Sequence, residues 1–279
     1  MTTKKTNMPS FEHLKDKARI IRKHVVQMVS QHGQGYIQQG LGAADLFTYL
    51  YFHELNLSPQ QLDNPQRDRF ILSTAHNTAV FYATLAESGF FETEKLQQYC
   101  MNDSALEINA SERLNGLVEC TCGSLGQGLS VACGLAVGLR KAHNPARIFV
   151  MLGDGELEEG QLWEAVLFAA SHNLKNLIML IDLNYMQVEG DVRSVTKIDP
   201  VDKKFEAFGW RTKTVDGHDF EQLFSAFSDL NNSADAPSAI IAHTIPGKGI
   251  DFLEGQKSHN MILPDEIAEK ALQQLEIEQ

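Results

Sequence analysis

Two short segments, RIFVML at 147–152 and NLIMLID at 176–182, restrict the possible folds more than anything else in the chain. Each is apolar at almost every position, without the alternation of a strand that keeps one face in water. Such a run is what a central strand of a parallel sheet looks like when both of its faces are covered. Between them, residues 158–172 carry Leu162, Val166, Ala169 and Ala170 at helical spacing, so the three pieces read as a βαβ unit. Further strands are expected at 69–73, 210–216 and 239–245. Helices are expected at 10–30, 44–52, 77–87, 126–141 and 220–230, with Asp219 as N-cap of the last, and in the charged tail PDEIAEKALQQLEIEQ. QHGQGYIQQGLGAAD reads as a glycine-punctuated loop, and residues 101–116 as irregular. The expected fold class is α/β: a doubly wound, mainly parallel sheet with helices on both faces.

The net charge of −12 is spread along the chain without an acidic tail. Nucleic acid and anionic membrane both call for a basic face, so neither is an expected partner. A phosphorylated ligand stays possible, because a few local donors outweigh the global sign. No apolar window approaches the roughly 18 residues of a membrane helix, and MTTKKTNMPSFEHL has no apolar core of a secretory signal. The cytoplasm is the expected compartment. Cys100, Cys120, Cys122 and Cys133 form no CxxC pair and are expected as buried free thiols, with Cys120 and Cys122 on one face of a strand.

The first apolar strand ends abruptly in Gly153-Asp154-Gly155, followed closely by Glu156, Glu158, Glu159 and Glu164. Ligands of parallel α/β sheets bind outside the carboxyl ends of strands. Glycine on both sides of Asp154 removes side-chain bulk there and permits a tight turn. The strand NLIMLID delivers Asn184 to the neighbouring carboxyl end. A carboxylate and an amide oxygen suit a hard cation such as Mg²⁺, which completes its shell with phosphate, and amides near Gly155 suit the same phosphates. Taken alone, GDG is most often only a turn. A calcium loop starting at Asp154 fails, with Glu159 at the position that requires glycine and Ala165 where a glutamate belongs. GSLGQG lacks the GxGxxG of a dinucleotide site.

The stretch GDGELEEGQLWEAVLFAASHNLKNLIMLIDLNYMQVEG resembles the diphosphate and Mg²⁺ motif of thiamine-diphosphate enzymes. TCGSLGQGLSVACGLA, STAHNTAVFYA, KKFEAFGW and VDGHD are similar to transketolases in particular, and matches run from about residue 10 to residue 265. The resemblance implies the thiamine-diphosphate-binding fold, with residues 1–279 as a single diphosphate-binding domain. It implies thiamine diphosphate with Mg²⁺, or Ca²⁺ or Mn²⁺, held by Asp154 and Asn184 through side chains and by Met186 through its carbonyl. Gly155 is implied at the diphosphate, Gly123 and Leu125 at the aminopyrimidine end, and Val188 in the pocket wall. His76 and His259 are implied to face the reacting carbon, where histidine moves protons at sugar hydroxyls. Glu159 and Glu164 match an acidic pair at the family's subunit contact, although a solvated helix start accounts for them equally.

Two departures stand out. Tyr36 (in GYIQQGLG) and Ala110 (in NASE) occupy positions where transketolases have substrate-facing histidines, so a sugar pair other than the usual pentose phosphates is expected. The resemblance covers only the family's first domain. It therefore implies the N-terminal subunit of a split transketolase, active with a C-terminal subunit, with two copies of each chain, on sugars or sugar phosphates. The alternatives are the α-subunit of a 2-oxoacid dehydrogenase, a non-catalytic binding remnant, and a plain domain for some other phosphate ligand.

Overall fold

The computed structural model describes residues 9–33, 35–232, 235–256, 258 and 262–277. Five parallel strands form one sheet in the order β1-β2-β3-β7-β6. They are β1 (Arg69–Leu72), β2 (Ile148–Gly153), β3 (Leu177–Leu183), β6 (Arg211–Asp216) and β7 (Ser238–His243). A two-stranded ribbon, β4 (Met186–Gln187) and β5 (Gly190–Asp191), follows β3.

Successive side chains of the central strands enter different cores. Phe149 and Met151 of β2, Ile178 and Leu180 of β3, and Ile240 and Ala242 of β7 join one cluster. Helices α1 (Phe11–His32), α2 (Ile37–Tyr49), α3 (Thr78–Glu87), α8 (Phe220–Asn232) and α9 (Asp265–Ile277) cover that face. Val150 and Leu152, Met179 and Ile181, and Ala239 and Ile241 point the other way, under α4 (Gln127–Lys141), α5 (Gly160–Ser171) and α7 (Val201–Ala207), with the short α6 (Val192–Val195) beside them. The wholly apolar strands thus reflect a sheet covered on both sides. The edge strand β6 keeps Arg211, Thr212 and Lys213 half-buried, as its mixed sequence predicts.

Asp219 caps α8 as expected, its Oδ1 accepting from the amides of Glu221 (2.9 Å) and Gln222 (3.1 Å). The loop expected at QHGQGYIQQGLGAAD is a correction: α2 begins at Ile37 and runs through Gly40 and Gly42. These glycines serve close packing. A Cβ at Gly40 would sit 3.1 Å from Val25 Cγ1, and one at Gly42 2.9 Å from the Ile245 carbonyl. Cys120 and Cys122 lie in an irregular segment, and their thiols meet at 3.5 Å. Of the four free cysteines, Cys122 and Cys133 are buried and Cys100 and Cys120 half-buried.

The amino ends of the strands are closed by Arg147, which pairs with Glu54 and with Asp68 (2.7 Å) and donates to Asn231 (3.0 Å). The carboxyl ends are aligned by the register Gly153↔Asp182 and Asp182↔Ala242, and they open to a cleft. Among the described residues, no helix is long and apolar enough to cross a membrane.

Candidate functional site

The cleft over the ends of β1, β2 and β3 has a volume of about 340 Å³, within the usual range of small-molecule sites. At the end of β2 the chain passes straight into a 3-10 turn, Gly155–Glu158. A Cβ on Gly155 would lie 2.9 Å from Gln187 Cβ, so glycine here lets the β4–β5 ribbon close over the turn. Gly153 likewise lies against His76, whose Cε1 would be 3.4 Å from an added Cβ.

Asp154 is 1% exposed. Its Oδ1 accepts from the Gly155 amide at 2.8 Å and its Oδ2 from the Tyr185 amide. Burial, and then the neighbouring charge of Asp182, push its carboxyl up to about 8. Asp182, wholly buried at the end of β3, accepts from the Thr244 hydroxyl and from Asn184 Nδ2 at 3.2 Å, and burial raises its carboxyl too. Asn184 Oδ1 accepts from the Met186 amide at 2.9 Å. Tyr36, His76, Asn109, Gly123, Leu125, Asp154, Glu156, Glu158, Glu159, Met186 and Val188 are among the residues lining the cleft, and among the described residues no Lys or Arg lines it.

Two buried carboxyls side by side, surrounded by neutral donors, suit a cation. The available donors are hard oxygens: the Asp154 carboxylate, the Asn184 amide and the Met186 carbonyl. They fit Mg²⁺, which takes its remaining positions from phosphate and water. No group of three or more His, Cys, Asp or Glu that could hold a metal occurs among the described residues. A cation here therefore depends on oxygens that a ligand brings.

The structure brings Gly123, Leu125, Asp154, Gly155, Met186, Val188 and His76 to one cleft, with Asn184 joined to it through Asp182 and Met186. Val188, 73% exposed, forms the outer wall. His76 sits on a 3-10 turn after β1, with the Tyr36 ring edge-on at 6.1 Å. Glu159 is exposed on the cleft rim, whereas Glu164 is exposed on α5 outside the lining. His259 lies outside the described residues.

Two residues of the cleft, Asn109 and Glu156, are not indicated by the sequence. Ala110 is buried, its amide donating to Thr78 Oγ1 at 2.9 Å, and the neighbouring Asn109 lines the cleft instead. Both lie in an irregular stretch where no periodicity indicates direction. Glu156, 1% exposed, accepts from the Ser73 hydroxyl, the Gly126 amide (2.7 Å) and the Gly153 amide (3.4 Å). It ties the ends of β1 and β2 to the first residue before α4. Its place among four nearby glutamates concealed it.

Comparison with known proteins agrees with this geometry. Residues 14–278 match the family model "Transketolase, thiamine diphosphate binding domain". The chain is 36% identical over 266 residues to the 6-deoxy-6-sulfo-D-fructose transketolase subunit SqwG of Clostridium sp. (strain MSTE9), covering 95% of this chain and 97% of that one. It is 36% identical over 271 residues to an apulose-4-phosphate transketolase subunit of Actinobacillus succinogenes, covering 96% and 98%. Among solved structures, transketolase from Campylobacter jejuni superposes with a TM-score of 0.89 at 31% identity, over 96% of this chain and 43% of that longer one.

Proposed function

The chain belongs to the transketolase family, through its thiamine diphosphate-binding domain, and on that premise we propose that it is the N-terminal subunit of a two-chain enzyme. Its reaction is transfer of a two-carbon ketol unit from a ketose to an aldose. The observation that carries this reading is the placing of Asp154 and Asn184 at adjacent strand ends, at an acidic cleft. Two relatives matched along nearly their whole length are themselves named subunits, which supports a separate C-terminal chain. Two copies of each chain, in the cytoplasm, complete the reading.

In the working site Asp154, Asn184 and the Met186 carbonyl would hold Mg²⁺, and the Gly155 turn would meet the diphosphate. Gly123 and Leu125 would bound the aminopyrimidine end, and Val188 would shield the pocket wall. Thiamine diphosphate, when bound, supplies the electron sink that ketol transfer needs. His76 would hold and move protons at the sugar hydroxyls, and His259 is assigned the same task on sequence likeness. Glu159 and Glu164, both exposed here, would meet a second copy of the chain. An anionic sugar terminus would be held by the C-terminal chain.

Tyr36 stands beside His76 where the family's histidine is expected, and Asn109 faces the same space. The two relatives are named for a sulfofructose and for apulose 4-phosphate. A ketose other than the usual pentose phosphate is therefore the proposed donor.

The test is calorimetric titration of thiamine diphosphate with Mg²⁺ into this chain mixed with its C-terminal partner, beside the Asp154→Ala variant. Binding that needs Mg²⁺ and vanishes in the variant is expected; equal binding in the variant overturns the cofactor assignment. Steady-state rates on the same mixture should be low on xylulose and ribose phosphates. Full activity there removes the specificity reading alone.

A further inference from the structure

The turn that leads into the aminopyrimidine end of the cleft carries two thiols in contact. Cys120 Sγ and Cys122 Sγ are 3.5 Å apart. Cys122 is 4% exposed and packs in the core beneath the sheet, while Cys120 is half-buried at its margin. Between them Thr121 is held away by Glu112: its hydroxyl donates to Glu112 Oε2 at 2.7 Å and accepts from the Glu112 amide at 3.2 Å. Gly123, the next residue, lines the cleft. The far end of the turn is fixed as well, because the Gly126 amide donates to Glu156 at 2.7 Å and the Leu125 carbonyl accepts from Gln161 at 2.9 Å.

We propose that Cys120 and Cys122 are a reversible oxidation site whose disulfide displaces Gly123 and so loosens the cofactor turn. A disulfide requires the sulfurs to close to about 2.05 Å. Cys122 lies between two fixed points, Thr121 and Gly126, so the share of the closure that falls on Cys122 is taken up by the residues between them. Gly123, with no atom within 4 Å of an added Cβ, is the one with room to move. The other two cysteines have no part in this: Cys133 is buried under α5, its Sγ 3.7 Å from the Ala165 carbonyl, and Cys100 follows Tyr99 in the other core.

The oxidant class is a hydroperoxide. Cys120, the more accessible sulfur, attacks as thiolate; an S–O bond forms, the O–O bond breaks and the leaving alkoxide or hydroxide takes a proton. Cys122 then attacks the Cys120 sulfur, forming the S–S bond as the S–O bond breaks and water leaves. Two thiols have lost two electrons and two protons, and the hydroperoxide has become an alcohol or water, plus one water. The hydrogen bond that Cys122 lends lowers the Cys120 thiol below its ordinary value, against burial and the charges of Glu112 and Glu119. A thiol reductant reverses the bond by exchange. The effect on cofactor binding rests on the thiamine-diphosphate reading; the chemistry of the thiols does not.

The experiment uses the full chain carrying Cys100→Ser and Cys133→Ser, titrated with hydrogen peroxide and then dithiothreitol. Tandem mass spectrometry of the alkylated digest should place an internal disulfide between Cys120 and Cys122, and dithiothreitol should remove it. Amide hydrogen exchange at residues 123–126 should quicken in the oxidised form, and thiamine diphosphate affinity, measured with the partner, should fall by about tenfold or more. Irreversible over-oxidation, or only intermolecular cross-links, overturns the proposal. An internal disulfide that leaves exchange at 123–126 unchanged overturns it equally. If the reduced protein binds no cofactor while the disulfide and exchange behave as expected, the cofactor reading fails and the oxidation site stands.

Discussion

Asp154 holds a carboxyl at about 8, where an exposed aspartate lies at 3.8. Because the folded value is raised, the stabilisation that comes with the protonated form is complete below the unfolded value and is lost as pH rises through about 8. The thermal midpoint of the cofactor-free chain should therefore decline between about pH 4 and about pH 8 and level off above that. On the proposed reading Mg²⁺ with thiamine diphosphate binds the carboxylate form, so adding both should recover most at the alkaline end. Asp154→Asn should flatten the decline and abolish the recovery. Differential scanning calorimetry across the pH series checks this, and an unchanged slope in the variant would assign the titration to another group. Chain proximity alone does not place Asp182 beside Asp154; the parallel register of β2 and β3 does.

At the scale of elements, α4 and the strand ends are held together by contacts without side-chain slack. Gly128, in the first turn of α4, lies so near β1 that an added Cβ would fall 2.5 Å from Ser73 Cβ and 3.0 Å from Ser73 Cα. The same Ser73 donates to Glu156, which in turn receives the Gly126 amide. Gly128→Ala should push the start of α4 outward and cost about 1–3 kcal/mol, the usual range for overpacking. Chemical denaturation measures that loss. Gly134→Ala on the same helix, with no atom within 4 Å of its added Cβ, is the matched control. A glycine in mid-helix otherwise lowers stability relative to alanine, so the control should be neutral or gain. Equal effects at both sites would mean that helix propensity, not the approach to β1, decides.

Across the whole molecule the cleft is one-sided. Among the described residues its walls supply acidic and neutral groups from the strand ends and no lysine or arginine. The chain also spans only 43% of the length of the Campylobacter jejuni transketolase that it superposes on. Large apolar side chains are exposed on two helices of the same face of the sheet: Leu167 at 55% and Phe168 at 41% on α5, and Val131 at 39% on α4. Exposed apolar groups on one face suit a contact surface, and α5 also carries the exposed Glu164. A second copy of this chain is the proposed occupant. Leu167→Asp should halve the mass of the assembled enzyme in sedimentation velocity without lowering its unfolding temperature by more than a few degrees. An unchanged mass would place the contact between copies elsewhere.

Much of this was legible in the residues themselves. Apolar strands without alternation specify burial on both faces, because a strand has only two faces and each side chain must leave water. Glycine on both sides of an aspartate at a strand end specifies a tight turn, because the chain there needs small neighbours, and an aspartate before a helical run specifies an N-cap, because its oxygen accepts from the free amides. These are local rules, and the parallel sheet, the GDG turn and the cap at Asp219 follow from them. Contacts between distant segments decided the rest. Gly40 and Gly42 looked like loop punctuation until Val25 and the Ile245 carbonyl were found against them. Nothing local separates Glu156 from Glu158 and Glu159; its burial depends on Ser73 and Gly126, which come from other elements. The choice between Asn109 and Ala110 as the cleft residue depended on Thr78, a hydroxyl on another element. A glycine or a carboxylate has the same local preferences whether it packs against solvent or against a distant strand. Which of the two it meets is fixed only when the chain is folded.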